Sequence, residues 1–224
     1  MSKLDTISNN YYDPLDKSEF FGEILFYLLS IFSILILYID KSTHPFFNNL
    51  LQVALIVLAI VFFFQGQIQN IYLFPRAEDA RRQELLSNSY QTTLTHELTD
   101  GYYNNEQTNP LKRLAASVME SSFFTREIVR KMLTKQRIQT GGYLIIYGIS
   151  VFNRTTELEL LSVAAQAIFS QDIVARWLRM EWLRMRSEQV FNNSNRLFTS
   201  NLSFSQPTAQ SQAIDLFSFY ETTK

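Results

Sequence analysis

The feature that most restricts the fold is the stretch from Phe20 to Phe64, FFGEILFYLLSIFSILILYIDKSTHPFFNNLLQVALIVLAIVFFF. Ile24 to Ile39 carries no charge over about 16 residues, and Phe20 and Phe21 extend it to the roughly 20 residues that a spanning helix needs at about 1.5 Å rise per residue. Leu50 to Phe64 has only Gln52 as a polar interruption and can borrow Phe46, Phe47 and the segment Ile68 to Phe74 at its ends. Asp40, Lys41, Ser42, Thr43, His44 and Pro45 form a short polar turn between the two runs. Two apolar runs joined in this way predict a membrane hairpin. The alternative is a buried helical pair inside a large soluble core.

Composition sets further limits. The mean hydropathy of -0.05 averages over two unlike kinds of segment, because apolar residues concentrate in the hairpin and again near residues 142 to 169. A net charge of -1 provides no positive field for phosphate and argues against nucleic acid as a bulk partner. The chain contains no cysteine, which excludes disulfides, thiolate catalysis and Cys-based metal sites. A removable signal peptide is not expected, since Asp5, Asp13, Asp16 and Glu19 precede the first apolar run and no small-residue cleavage pattern follows it.

Taken in order, residues 1 to 19 predict a loose or partly helical cytosolic lead-in, and 20 to 74 the hairpin. Residues 75 to 140 predict a cytosolic helical region. Within it Pro75 starts a helix to about Ser89, with a Glu78 to Arg82 pair, and Ser89 to Pro110 forms a structured loop. Asn109 and Pro110 then cap and open a helix to about Gln139, whose apolar positions Leu111, Leu114, Ala115, Val118, Met119, Phe123, Ile128, Met132 and Leu133 need a cover. Gly141 and Gly142 punctuate the chain, and residues 141 to 176 predict a second, shorter hairpin, with a soluble or half-inserted helical pair as the alternative. From about Glu157 one helical pattern runs through Trp182 to about Val190, and 177 to 224 is a cytosolic extension ending in the amphipathic AIDLFSFYETT. The expected fold is thus an all-α membrane protein with four helices in the membrane. Of 20 Lys and Arg, only Lys41 and Arg154 lie at the two tips, which places both termini and the central segment on the cytoplasmic face.

No catalytic constellation is present: GxSxG, a glycine-rich phosphate loop and HExxH are all missing, and His44 and His96 lie far apart in the chain. An enzyme is not expected, nor a cofactor or metal. Three groups of residues invite a functional reading. Tyr102, Tyr103, Asn104, Asn105 and Glu106 set two aromatic faces beside carboxamides and a carboxylate, a combination suited to a planar ligand such as a nucleobase, or else to an ordinary turn whose tyrosines pack on neighbouring helices. Glu159, Gln166 and Asp172 form a polar side on the fourth helix, to face a bundle interior, a neighbouring subunit or an aqueous path. Arg176, Trp177, Arg179 and Trp182 combine basic and aromatic side chains as an interfacial anchor does, and such a helix can also contact anionic headgroups or another subunit.

The layout, particularly IYLFPRAEDARRQELLSNSY followed by GYYNNE and MESSFF, resembles the small multi-span membrane proteins found in bacterial anti-phage operons, including those paired with cyclic-oligonucleotide synthases. The likeness covers the hairpin and central region and brings no residue roles with it. It implies an inner-membrane effector that forms homo-oligomers when a nucleotide second messenger or cytosolic sensor protein triggers it, with loss of membrane integrity as the result. A membrane-anchored sensor or scaffold is the competing class. The charge asymmetry predicts that reporter fusions at Ser42 and at Thr155 both signal from outside the cytoplasm. A cytoplasmic signal at Thr155 would turn the second hairpin into a soluble helical pair.

Overall fold

The computed structural model describes residues 4–39, 43–97, 99–100, 102–103, 105–152, 173–200 and 202–223. These are helical apart from loops and one short antiparallel pair, β1 (Leu4–Asp5) with β2 (Thr99–Asp100), in which Leu4 faces Asp100 and Asp5 faces Thr99. The helices are α1 (Asp13–Tyr38), α2 (Pro45–Ile68), α3 (Phe74–Tyr90), α4 (Pro110–Phe152), α5 (Val174–Thr199) and α6 (Pro207–Glu221). They belong to two compact units. One comprises residues 1–10, 77–136 and 177–224, and the other residues 11–76 and 137–176.

The second of these units holds the apolar pair. Among the described residues, Ser8–Ile36 and Pro45–Tyr90 are the two helical stretches long and apolar enough to cross a membrane. Only 11% and 6% of their most apolar windows are buried, whereas the core helix of a soluble domain is mostly buried. Phe20, Tyr27 and Ile31 on α1, and Phe46, Phe47, Val53, Ile56 and Phe63 on α2, stand exposed.

Polar contacts join α1 and α2 at both ends. Near the tip, buried Asn48 donates its side-chain amide to the Ile39 carbonyl at 3.1 Å and accepts from Gln52 at 2.7 Å. That bond satisfies a carbonyl at the end of α1, which has no partner within its own helix. At the other end Gln65 Nε2 donates to the Ser18 carbonyl at 2.7 Å and lies 3.1 Å from Ser18 Oγ. Gly22 lets Gln65 approach, because a Cβ there would sit 2.8 Å from Gln65 Oε1. Gln69 continues the cluster with a bond to Glu19 at 3.2 Å.

Pro75 does not begin a separate helix. The chain is helical from Pro45 through Tyr90, with a wide π turn at Gln69–Leu73 just before it. A proline inside a helix removes a donor and crowds the carbonyl four residues earlier, here Ile71, and the widened turn accommodates both effects. Arg82 pairs with Asp79 at 2.8 Å, three residues back, in place of the pairing expected with Glu78. Helix α3 ends without a glycine: Gln91 takes φ 54° and the Thr92 N–H reaches the Ser87 carbonyl at 3.2 Å, the two-residue closure usual for left-handed caps.

Helix α4 departs from expectation at its far end. Asn109 caps it as the sequence suggests, accepting from the Lys112 N–H at 3.1 Å, but the helix passes through Gly141 and Gly142 to Phe152 without a break. Two glycines cost about 1 kcal/mol each relative to alanine, and neither removes a backbone donor as proline does. Residues 153–172, including the second tip and the first part of the pattern that starts near Glu157, lie outside the described residues. Helix α5 continues to Thr199, beyond the expected end near Val190.

The other unit packs α3, the first part of α4, α5 and α6 around Leu85, Leu114, Ala115, Val118, Val190, Leu197, Phe204, Ala213 and Leu216. On α4 the buried stripe is Leu114, Val118, Ser122, Val129 and Leu133, while Phe123, Ile128 and Met132 are exposed. The face is rotated from the one read from apolar residues alone, because Ser117 and Ser122 are buried on it. Ser122 donates to the Met119 carbonyl at 2.9 Å, and Ser117 accepts from Asn105 at the same distance, which satisfies both hydroxyls. Val118→Asp is expected to unfold this unit, since an unpaired buried carboxylate costs several kcal/mol. Ile128→Asp, on the exposed side, is expected to leave it folded. Limited proteolysis of the two variants measures the difference, and equal resistance would place Val118 at the surface.

Candidate functional site

Four stretches of the chain meet at one cleft in the helical unit. Arg81 comes from α3, Tyr102 and Tyr103 from the loop before α4, and Glu120, Ser121, Phe124, Thr125 and Ile128 from α4 itself. Tyr220, near the end of α6, completes the wall. The α4 residues share a face because positions four apart stack along a helix: Glu120 lies under Phe124 and Ile128, and Ser121 under Thr125. The cleft encloses about 320 Å³, toward the small end of the ~300–1,000 Å³ usual for small-molecule sites.

Its wall is held by charge and by ring contacts. Arg81 Nη2 lies 2.9 Å from Asp5 Oδ2, and both side chains are largely buried. The Arg81 guanidinium also sits over the Tyr102 ring, 4.1 Å from its centre, close enough for a cation–π contact. The Tyr102 and Tyr103 rings meet edge to face at 4.9 Å and 80°. The ion pair therefore fixes Arg81, Arg81 steadies Tyr102, and Tyr102 sets the orientation of Tyr103. Three residues further along α3, Glu84 accepts a hydrogen bond from the Thr99 hydroxyl and ties the loop to the helix.

Burial pushes the Tyr103 phenol well above its usual value, and the neighbouring Tyr220 and Tyr102 add to the push while Arg81 opposes it. The hydroxyl is therefore neutral at physiological pH.

The rest of the expected ligand loop is divided. Asn105 turns away to donate to Ser117 at 2.9 Å, and Glu106 is exposed and does not line the cleft. Asn104 lies outside the described residues, as do all three residues of the expected pore side, Glu159, Gln166 and Asp172. The basic and aromatic group is on α5. Arg176 pairs with Glu23 at 2.8 Å, Trp177 donates to Glu181 at 3.3 Å, Arg179 is exposed, and Trp182 is 45% exposed with Arg186 at 5.6 Å from its ring centre. The sequence had no means of revealing that Arg81, Glu120, Ser121 and Thr125 join the two tyrosines, because their placement requires α3 and α4 to pack. Among the described residues no cluster of His, Asp and Glu is arranged to hold a metal ion.

Comparison of the chain with protein-family models, with curated proteins and with solved structures gives no match.

The Tyr103 shift has a defined consequence for stability. A phenol titrates near pH 10 in the unfolded chain and higher here, so its contribution is fully present below about pH 10 and is lost as pH rises toward the folded value. Thermal unfolding between pH 7 and 11 is expected to show the parent losing more stability above pH 10 than Tyr103→Phe. Parallel curves would mean that the phenol is solvated.

Proposed function

We propose that the chain is a membrane-embedded effector that oligomerises and disrupts or permeabilises the bacterial inner membrane on a signal, as in anti-phage abortive infection. Its termini are cytoplasmic, the apolar pair α1 and α2 is the anchor, and the cleft beside Tyr102 receives the signal. The observation that carries the reading is the continuity of α4. Glu120 to Ile128 line the cleft, and the same unbroken helix presents Ile145, Ile146, Ile149 and Phe152 as exposed apolar side chains further along. The cleft wall and the second apolar segment thus belong to one helix, the element on which occupancy of the cleft would act.

A second reading is favoured by the α1 and α2 contact. Gln65 on Ser18 and Asn48 on Ile39 use their side chains to close the pair, and exposed apolar side chains occupy much of the remaining surface. Such a pair anchors without conducting, as a sensor or scaffold that recruits a cytosolic partner requires. A permeation path then depends on Glu159, Gln166 and Asp172.

The double substitution Gln166→Leu with Asp172→Leu separates the two. It makes the segment more apolar and keeps the protein in the membrane, and it is expected to abolish toxicity and dye leakage. If the variant depolarises cells as the parent does, the polar side has no part in a path and the scaffold reading replaces the effector.

A further inference from the structure

We propose that the cleft binds a single nucleobase, as the free base or nucleoside, by its ring face and edge, with no place for a chain of phosphates. The inference rests on the reading of this cleft as the signal-receiving site and names what it receives.

Size is the first argument. About 320 Å³ is near the lower limit for a small-molecule site and suits one ring system better than linked nucleotides. Charge is the second. A polyphosphate needs cations that are not already neutralised, and Arg81 in this wall is held by Asp5 at 2.9 Å and lies over Tyr102. A neutral ligand needs no such free cation.

The third argument is the kind of contact on offer. Phe124 lines the cleft and remains 53% exposed, which leaves ring surface for stacking. Ser121 and Thr125 stand four residues apart on the same face of α4, and each hydroxyl can donate or accept. Glu120, one residue earlier, accepts only, and Arg81 donates only. A nucleobase presents a flat apolar face with alternating donors and acceptors along its edge, which matches this set. An aliphatic ligand would leave the polar groups unmatched, at a cost.

Equilibrium dialysis of the full chain in lipid nanodiscs, with adenosine, guanosine, ATP, GTP and choline as probes, tests the proposal. A nucleoside is expected to bind more tightly than its triphosphate and than choline. Phe124→Ala is expected to weaken nucleoside binding about tenfold, the loss of one stacking contact, and Thr125→Val several-fold. Both positions lie outside the packed core, and an unchanged helical circular dichroism spectrum checks that the variants fold. Tighter binding of a triphosphate or of choline, the absence of nucleoside binding at millimolar concentration, or parental affinity in folded Phe124→Ala would each overturn the assignment. Vesicle leakage is scored separately. Nucleoside binding that never leads to leakage supports the ligand class and counts against the effector reading alone.

Discussion

Two helices with almost wholly apolar surfaces must find an apolar surround, and the organisation of this chain follows from that requirement. In water the exposed rings of Phe20, Phe46, Phe47 and Phe63 would drive aggregation, whereas in a hydrocarbon layer they cost nothing. Lipid, however, offers no hydrophobic force to hold one such helix against the other. The α1 and α2 pair therefore relies on the bonds from Gln65 to Ser18 and from Asn48 to Ile39, and on Gly22, whose missing side chain lets Gln65 in. In an apolar layer an amide without a partner is expensive, so the same few polar side chains determine which faces meet.

The helical unit follows different physics. It has an ordinary apolar core centred on Leu114, Val118, Val190 and Leu216, with serines accommodated wherever a backbone carbonyl or a neighbouring amide satisfies them. The Asp5 to Arg81 pair belongs to this packing as much as to the cleft. A guanidinium that is 11% exposed needs its carboxylate and gains a ring contact with Tyr102 besides. The cleft is thus a consequence of how α3 and the loop before α4 are held. In its wall Arg81, Tyr102 and Tyr103 hold one another through the ion pair and the ring contacts.

Several local features were readable residue by residue. Asn109 and Pro110 announced the start of α4, and the apolar spacing of Leu114 and Val118 announced its buried side. Other features depart from their local signals for physical reasons. Pro75 looked like a helix start because a proline there fits a first turn, and nothing local disclosed that a π turn would carry the helix through. Gly141 and Gly142 looked like a break because their helix propensity is poor, yet propensity yields to the residues on either side. Ser117 and Ser122 concealed the true orientation of the α4 face, since a hydroxyl reads as polar in sequence and behaves as small once its proton has a partner.

By itself the sequence determined that the chain contains two apolar helices with a short polar stretch between them and a separate helical part rich in charge. Both conclusions depend on contiguous composition, and the hydrophobic effect acts on contiguous residues whatever the rest of the chain does. It also drew attention to Tyr102 and Tyr103, because paired aromatics next to glycine and asparagine are conspicuous in a single line of text. Only the tertiary structure decided what surrounds them. That Arg81, about 20 residues earlier, and Glu120 to Thr125, about 20 residues later, line one cleft with the two rings depends on the packing of α3 against α4. Packing is a property of side-chain shapes summed over two helices, and no window of sequence contains both.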